Sequence, residues 1–182
     1  MRTAVQGVRG CFSAQAAAEM DAAAELVYCR DFAAVQRAVL IGAADRGLLP
    51  VENTLAGEIP GNRDLLAHPG VRVQGETRLR IELCFIVLPG AVEMQSIARV
   101  YSHPVAFLQC QNFLRQHPRW VPVKFFDTAG SVEHVLQLGS AENAAVASAA
   151  AAEAYGARIA LAGIGDRRDN FTSFVIFGAA SA

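Results

Sequence analysis

Short apolar segments of strand length alternate with segments of helical pattern along almost the whole chain of 182 residues. The sequence predicts strands at residues 3–5, 27–29, 47–50, 84–88, 99–101, 123–126 and 174–177. It predicts helices at residues 13–25, 32–41, 104–116, 130–138 and 150–155, whereas residues 144–147 fit either a strand or the beginning of a helix. Such alternation is typical of β-α-β units, so it predicts an α/β fold with mainly parallel strands.

A break at Pro89-Gly90 and a closing strand near the C-terminus indicate how the chain is divided. They predict two lobes, with the second inserted within the first. Residues 1–80 would begin lobe 1, residues 81–155 would form lobe 2, and residues 156–182 would return to lobe 1.

Apolar residues make up 53% of the chain and charged residues 18%, which is typical of a globular protein with a buried core. The 16 basic and 17 acidic residues give a net charge of −1 and form no basic stripe that would neutralise phosphates. We therefore expect no nucleic-acid partner.

The four cysteines lie far apart, at positions 11, 29, 84 and 110, and show no C-x-x-C spacing. The four histidines show no metal-ligand spacing either, so we expect no metal site and no disulfide framework. Buried thiols in a reducing cytoplasm are expected instead. No signal-peptide core follows the first residue, and the alanine-rich residues 143–154 are too short and too polar to span a membrane.

Three predicted strand-to-helix junctions carry residues that cap helices. Ser13 ends the loop after the first strand, Ser102-His103 precedes a proline, and Asp127-Thr128 follows a later strand. Free N–H groups and the helix dipole make such junctions good anion sites, at the sheet edge where α/β proteins bind ligands. Together the junctions predict a small ligand with two carboxylates, although each is also explained by the capping that every helix needs.

Glu52 and Asn53 follow the third predicted strand, beside a glycine-rich loop. If desolvated, Glu52 would act as an acid or a base, and the loop would let the backbone approach a ligand. The alternative is structural: Asn53 would form an Asx turn, and Glu52 would pair with Arg46 or Arg63. His103 is interpreted either as a base or as a structural histidine, and the structural role is favoured.

The segment from Asp169 to Phe174 resembles the Asn-x-Thr-Arg-Phe motif of prephenate dehydratases, with Thr172 in the threonine position and Ser173 in the arginine position. Further segments resemble motifs of that family in the same order: Gly7 to Ala17, Asp45 to Leu66, Gly75-Glu76, Tyr101 to Cys110, Asp127 to Ala129, and Ala147 to Gly156. The resemblance covers essentially the entire chain.

The resemblance implies a two-lobed fold like that of periplasmic binding proteins, with an active site in the cleft between the lobes. It implies conversion of prephenate to phenylpyruvate in phenylalanine synthesis, or action on arogenate, the amino-acid counterpart of prephenate. Loss of carbon dioxide and hydroxide makes the ring aromatic, so neither a metal nor an organic cofactor is needed. A cytoplasmic enzyme that forms a homodimer or homotetramer is expected.

The resemblance also implies roles for individual residues. Thr172 would assist departure of the ring hydroxyl, with Glu52 and Asn53 as further catalytic residues. An isolated threonine hydroxyl is too weak an acid at neutral pH, so Thr172 needs a hydrogen-bonding partner. The expected substrate-binding residues are Ser13, Asn53, Thr54, Ser102, His103, Gln109, Thr128, Ala129, Ser173 and Phe174.

Two positions depart from the family pattern. Ser173 lacks the fixed charge and the bidentate geometry of arginine. Glu58 lies where a small residue is usual, and its carboxylate would either repel a dianion or bind the amino group of arogenate. The arginines considered as replacements for the missing charge are Arg9, Arg63, Arg167 and Arg168.

These departures leave two further functions open: a prephenate decarboxylase on the same scaffold, or a non-catalytic ligand-binding homologue. The regulatory ACT domain that usually follows the catalytic part in this family is not among the 182 residues. Feedback control by phenylalanine is therefore not expected within this polypeptide.

Overall fold

The computed structural model describes residues 1–90 and 93–180. Its strands are β1 (Arg2–Gln6), β2 (Glu25–Cys29), β3 (Arg46–Asn53), β4 (Gly57–Glu58), β5 (Val71–Arg80), β6 (Cys84–Val87), β7 (Arg99–Ser102), β8 (Val121–Lys124), β9 (Asn143–Ala147), β10 (Arg158–Leu161) and β11 (Phe171–Ala179). Its helices are α1 (Phe12–Met20), α2 (Phe32–Leu40), α3 (Asn62–Leu66), α4 (Pro104–Leu108), α5 (Gln111–Arg115), α6 (Thr128–Leu138) and α7 (Ala149–Tyr155), with a 3₁₀ turn at Met94–Ser96. Among the described residues, no helix is long and apolar enough to cross a membrane.

The chain forms two compact units. The first contains Met1–Val8, Phe12–Arg80 and the chain from Asn170 onward, and the second contains Arg9–Cys11 and Ile81–Asp169. The predicted return to the first lobe at residue 156 is wrong. β10, which the sequence patterns missed, pairs antiparallel with β6 and so keeps the chain in the sheet of the second unit.

The sheet of the first unit has the strand order β2-β1-β3-β11-β5, with β4 added beside β3. β1 runs parallel to β2 and β3, whereas β11 runs antiparallel to β3 and β5. The predicted α/β class is confirmed with a mixed sheet, because the last strand runs in the opposite direction to both of its neighbours.

The sheet of the second unit has the order β10-β6-β9-β7-β8 and is also mixed. β7 runs parallel to β8 and β9, and β6 runs antiparallel to β9 and β10. Every residue of β6 and β9 is buried. The central position predicted for residues 84–88 is confirmed, and residues 144–147 form a strand.

Two predicted helices differ in the structure. The helix predicted at residues 13–25 ends at Met20, because Asp21 opens a turn in which its carboxylate accepts from Ala23 N at 3.1 Å. The helix predicted at residues 104–116 is divided into α4 and α5. Asp166 caps α5 from 55 residues away, its carboxylate oxygens accepting from Gln111 N and Asn112 N at 3.0 Å each.

A bulge lies in β3 next to its last residues. The register against β11 shifts from Glu52↔Ser173 to Pro50↔Phe174, so Val51 is left over. Proline has no N–H for a sheet ladder, and a bulge is one of the few places where an inner strand accepts it. The bulge sets which way the last residues of β3 face.

The core of the first unit depends on a close contact between Gly47 and Phe177. Phe177 is fully buried in a cluster that includes Ala4, Val35 and Leu49. Gly47 is its partner on β3, and a Cβ at position 47 would overlap the Phe177 ring at Cζ. The ring therefore needs the space that glycine leaves.

We expect Gly47→Ala to lower the free energy of unfolding by about 2–3 kcal/mol, because the new methyl group forces Phe177 out of its position. Gly75→Ala is the matched control in β5, where a new Cβ would meet Ile176 Cδ1 at an ordinary 3.6 Å. Urea denaturation of both variants measures the difference. Equal stabilities would contradict the contact argument.

Candidate active site

Thr172 lies at the beginning of β11 and is 8% exposed. Its cross-strand partner is Asn53, the last residue of β3. Asn53 Nδ2 donates to Thr172 Oγ1 at 3.0 Å, to Asn170 Oδ1 at 2.8 Å and to the Phe171 carbonyl at 3.1 Å. The two N–H bonds of one amide therefore serve acceptors on three consecutive residues, with one N–H shared between two of them.

The orientation of the Asn53 amide follows from its other hydrogen bonds. Asn53 Oδ1 accepts from Leu55 N at 3.0 Å and from Ala56 N at 2.9 Å. Backbone N–H groups only donate, so the atom facing them must be the oxygen and the NH₂ group must face Thr172. The predicted Asx turn at Asn53 is confirmed, and it serves the site as well as the loop.

Thr54 strengthens the same junction. Its backbone N donates to the Phe171 carbonyl at 2.9 Å, and its Oγ1 accepts from Phe171 N at 2.9 Å. Thr54 was predicted to bind substrate. Its hydroxyl holds the residue before Thr172, and its role in substrate binding stays a prediction.

The Thr172 hydroxyl is suited to donate a proton. In the part of the chain that the structure describes, its oxygen accepts from Asn53 and its hydrogen is directed to no protein acceptor. A hydrogen bond to the oxygen stabilises the negative charge that builds there as the proton leaves. The partner that the sequence argument required for Thr172 is Asn53.

Glu52 and Ser173 lie on the other face of the sheet. They are cross-strand partners, and successive side chains of a strand alternate between faces, so they point away from the face that carries Asn53 and Thr172. Glu52 is exposed. The desolvation on which its predicted acid–base role depended is therefore not present.

A row of side chains crosses this exposed face. Glu58 pairs with Glu52 in register, Glu52 with Ser173, and Ser173 with Arg78. Arg63 binds Glu58 at 3.1 Å, not Glu52 as the structural interpretation of Glu52 proposed. Since cross-strand partners share a face, Glu58 also lies on the face opposite Thr172.

Phe174, another predicted substrate-binding residue, is 1% exposed. It lies in the interior of β11, so the structure supports a role in the core and not in ligand contact. The arginine candidates are exposed: Arg167 pairs with Asp169, and Arg63 pairs with Glu58.

In the second unit, the ends of three neighbouring parallel strands each lead into a helix cap. His103 after β7 accepts at Nδ1 from Val105 N at 3.2 Å, and Ser148 after β9 accepts at Oγ from Ala151 N at 3.0 Å. Asp127 after β8 accepts at Oδ1 from Gly130 N. The caps lie at one edge of the sheet because β8, β7 and β9 are adjacent and parallel.

Burial affects two of these caps in opposite directions. It lowers the pKa of His103, although the Asp127 charge opposes this, and it raises the pKa of Asp127, although the hydrogen bond from Gly130 opposes that. A neutral imidazole agrees with His103 Nδ1 acting as an acceptor. Asp127 Oδ2 is buried and has no hydrogen-bond partner among the described residues.

The remaining predicted contacts of the second unit are mostly buried. Ser102 is fully buried and donates to the Val146 carbonyl at 2.6 Å, so it ties two strands together and the structure supports no direct ligand contact. Gln109 is 8% exposed, and its carbonyl accepts from Asp166 N at 2.8 Å. Ala129 is 1% exposed, whereas Thr128, the first residue of α6, is half-buried.

Ser13 belongs to the first unit. It is the second residue of α1 and is 7% exposed. Its role in binding stays a prediction.

Three residues of interest were not predicted for the site. Asn170 stood in the recognised motif, but its role as acceptor of Asn53 needed the structure. Asp127 was predicted only as a cap, and Arg78 has no local sequence signal. Among the described residues, no group of His, Cys, Asp or Glu side chains is arranged to hold a metal ion.

Fold and site define an α/β protein of two units in which a buried threonine hydroxyl accepts a hydrogen bond from a fixed amide. Residues 3–182 match the family model for prephenate dehydratase. The chain belongs to the prephenate dehydratase family.

Known relatives and structures agree with this assignment. Arogenate dehydratase 1 of Petunia hybrida is 40% identical over 177 residues, which cover 97% of this chain and 42% of that protein. The chain thus spans about two fifths of the length of this relative. The prephenate dehydratase of Arthrobacter aurescens in complex with L-Phe superposes with a TM-score of 0.90 at 26% identity, covering 100% of this chain and 61% of that one.

A further structure at a TM-score of 0.90 is GqqA, described as a novel type of quorum quenching acylase, with 35% identity over 100% of this chain and 65% of that one. The methionine-binding protein MetQ shows the fold alone, with a TM-score of 0.54 and 13% identity over 98% of this chain and 82% of that one. The predicted likeness to periplasmic binding proteins is confirmed, with mixed sheets. The inter-lobe cleft stays a prediction.

Asp127 allows a prediction about pH. Because burial raises its pKa above 3.8, its contribution to stability is fully present below that pH and is lost as the pH rises through the folded-state pKa. As the pH falls from about 7 to about 4, we expect the free energy of unfolding of the wild type to rise relative to that of Asp127→Asn.

Asp31→Asn is the matched control, because Asp31 caps α2 and the hydrogen bond from Ala34 lowers its pKa. Its contribution is present above pH 3.8 and is lost as the pH falls through the folded-state pKa, so the trend should reverse. Urea denaturation at several pH values measures both differences. The same trend in both variants would refute the burial argument.

Proposed function

We propose that this chain is the catalytic part of a dehydratase that converts prephenate to phenylpyruvate. The observation that supports it best is the Thr172 hydroxyl, which accepts from the fixed Asn53 amide and keeps its hydrogen for a ligand. Membership of the family gives the reaction class. The hydrogen bond between Asn53 and Thr172 supports a role for these two residues in that reaction.

In the proposed reaction, the bond between the ring and its carboxylate breaks, and carbon dioxide leaves. The electron pair moves into the ring as the carbon–oxygen bond of the ring hydroxyl breaks, so the product ring is aromatic. Thr172 donates a hydrogen bond to the departing hydroxide and transfers its proton to it, so the hydroxide leaves as water. The Asn53 amide stabilises the negative charge on the Thr172 oxygen until solvent returns a proton to that oxygen.

Arogenate is the second substrate candidate, and it is supported by the name of the Petunia relative. Glu58 was predicted to favour arogenate by binding its amino group. The structure gives no support to that argument, since Glu58 is paired with Arg63 and lies on the face opposite Thr172. Comparison of the turnover of prephenate and arogenate decides between the two substrates.

A prephenate decarboxylase and a non-catalytic homologue both lose support from the geometry of the site. Decarboxylation alone needs no group that helps hydroxide to leave, whereas the Asn53-bound Thr172 hydroxyl is suited to that role. Ser173 and Glu58 suggested a non-catalytic homologue, and both lie on the face opposite Thr172. Loss of an arginine there leaves the Asn53–Thr172 pair complete.

Acyl hydrolysis through an acyl-enzyme, one route suggested by the description of GqqA, would need a reactive nucleophile. Burial raises the pKa of Cys110 to about 12, and it also raises that of Cys84. The hydroxyls of Ser102 and Ser148 donate to backbone carbonyls. These side chains are poor nucleophiles as they stand, which favours the dehydratase.

We also propose, as the sequence led us to expect, a cytoplasmic location and a homo-oligomer. No disulfide joins the described cysteines, which suits a reducing compartment. Light scattering after size-exclusion chromatography would measure the oligomer size.

The decisive experiment incubates the purified chain with prephenate, arogenate or an N-acyl amide at neutral pH and follows the products by NMR. We expect phenylpyruvate from prephenate well above the rate without enzyme. Thr172→Ala should lower turnover by about 10²–10⁴-fold, the size of a general acid contribution, whereas Thr172→Ser should retain much of it. Wild-type turnover in Thr172→Ala would refute the assignment.

Asn53→Asp tests the amide separately. The variant keeps an oxygen for the turn at Leu55 and Ala56, but it places a carboxylate oxygen against Thr172. The threonine hydrogen would then be held by that carboxylate, so we expect kcat to fall about 100-fold.

Asn62→Asp is the matched control for Asn53→Asp. Asn62 is a buried amide of the same unit that donates to the Pro50 carbonyl at 2.7 Å and not to Thr172. It should lose stability with a smaller effect on kcat, measured by urea denaturation and steady-state kinetics. Equal losses of kcat would show that stability alone explains the effect.

A further inference from the structure

Phe171 is a structural anchor of the Thr172 site. Its carbonyl accepts from Asn53 Nδ2 and from Thr54 N, and its own N–H donates to Thr54 Oγ1. Three hydrogen bonds from β3 and the following loop therefore meet on the backbone of this one residue. A change in the position of Phe171 would move Thr172, the next residue in the chain.

The ring of Phe171 lies on the exposed face of the sheet, together with Ser173, because the two residues are two positions apart on one strand. The guanidinium of Arg78 covers this ring, with Arg78 Cζ 4.3 Å from the ring centroid. Arg78 is also the cross-strand partner of Ser173 on β5. Its side chain therefore reaches from beside Ser173 to the ring of Phe171.

Ser173 has a small side chain and lies on the same face as Phe171. A guanidinium at that position would share a face with Phe171 and would lie between Glu52 and Arg78 in the cross-strand row. The small side chain of Ser173 leaves this space to Arg78. In the described part of the chain, Glu52 makes no ion pair, so Arg78 is not drawn away from the ring by that carboxylate.

We propose that Arg78 is a positioning residue for Thr172. Arg78 acts through Phe171. The Arg78 guanidinium fixes the ring of Phe171, and the position of the ring fixes the Phe171 backbone. The Phe171 carbonyl and the Thr172 hydroxyl both accept hydrogen bonds from the Asn53 amide. An exposed cation–π contact is of a size to change the rate about fivefold.

This inference rests on the proposed dehydratase function for its kinetic test. We expect Arg78→Ala to lower kcat about fivefold with little change in KM, because the geometry of Thr172 changes and substrate contacts do not. Arg72→Ala is the matched control, since Arg72 is an exposed arginine at the other end of β5, opposite Gly178. It should leave kcat unchanged. An unchanged kcat in Arg78→Ala would overturn the proposal.

Two double variants test the route of the effect. In a Phe171→Leu background, Arg78→Ala should have no further effect on kcat, because the ring through which it acts is gone. In an Arg78→Ala background, Ser173→Arg should restore kcat by returning a guanidinium to the same face. Additive losses in the first case, or no rescue in the second, would overturn the proposal.

An NMR measurement separates this inference from the proposed function. Arg78→Ala should shift the signals of the Asn53 side-chain NH₂ and of the Thr172 methyl group, whereas Arg72→Ala should not. If the wild type turned over none of the three substrates but these signals still shifted, the proposed function would fail and the positioning role would stand. Unchanged signals in an active enzyme would overturn the positioning role alone.

Discussion

The side-chain amide of Asn53 is the interaction on which the site depends. Its oxygen closes the turn after β3, and its nitrogen holds Asn170, Phe171 and Thr172. A buried polar group is stable only when its donors and acceptors are satisfied, and this amide is satisfied on both sides at once. One amide therefore fixes both the shape of the loop after β3 and the position of the Thr172 hydroxyl.

The alternation of side chains along β11 separates two environments one residue apart. Thr172 lies on the face it shares with Asn53 and is buried, whereas Ser173 lies on the exposed face between Glu52 and Arg78. A substitution at position 173 therefore acts on a different surface from a substitution at position 172. This is why the departure from the family motif does not by itself argue against catalysis.

Much of the fold follows from local pattern, but the exceptions share a cause. The buried strand β6 and the Asx turn at Asn53 were predicted because each is encoded within a few residues. The division between α4 and α5 was not, since Asp166 caps α5 from 55 residues away. β10 was missed for a similar reason, because its antiparallel pairing with β6 spans some seventy positions of sequence. Local periodicity carries no information about such partners.

The sequence by itself determined the α/β class and the family, and it singled out Thr172 as the candidate hydroxyl, because those depend on residue types and short spacings. Only the tertiary structure decided which residues serve Thr172. Asn53 and Thr172 are 119 positions apart, and strand register alone places one amide on that hydroxyl. A shift of one residue would turn Glu52 or Ser173 to that face instead, because side chains alternate with a period of two. Register depends on the packing of the whole sheet, and no short stretch of sequence contains it.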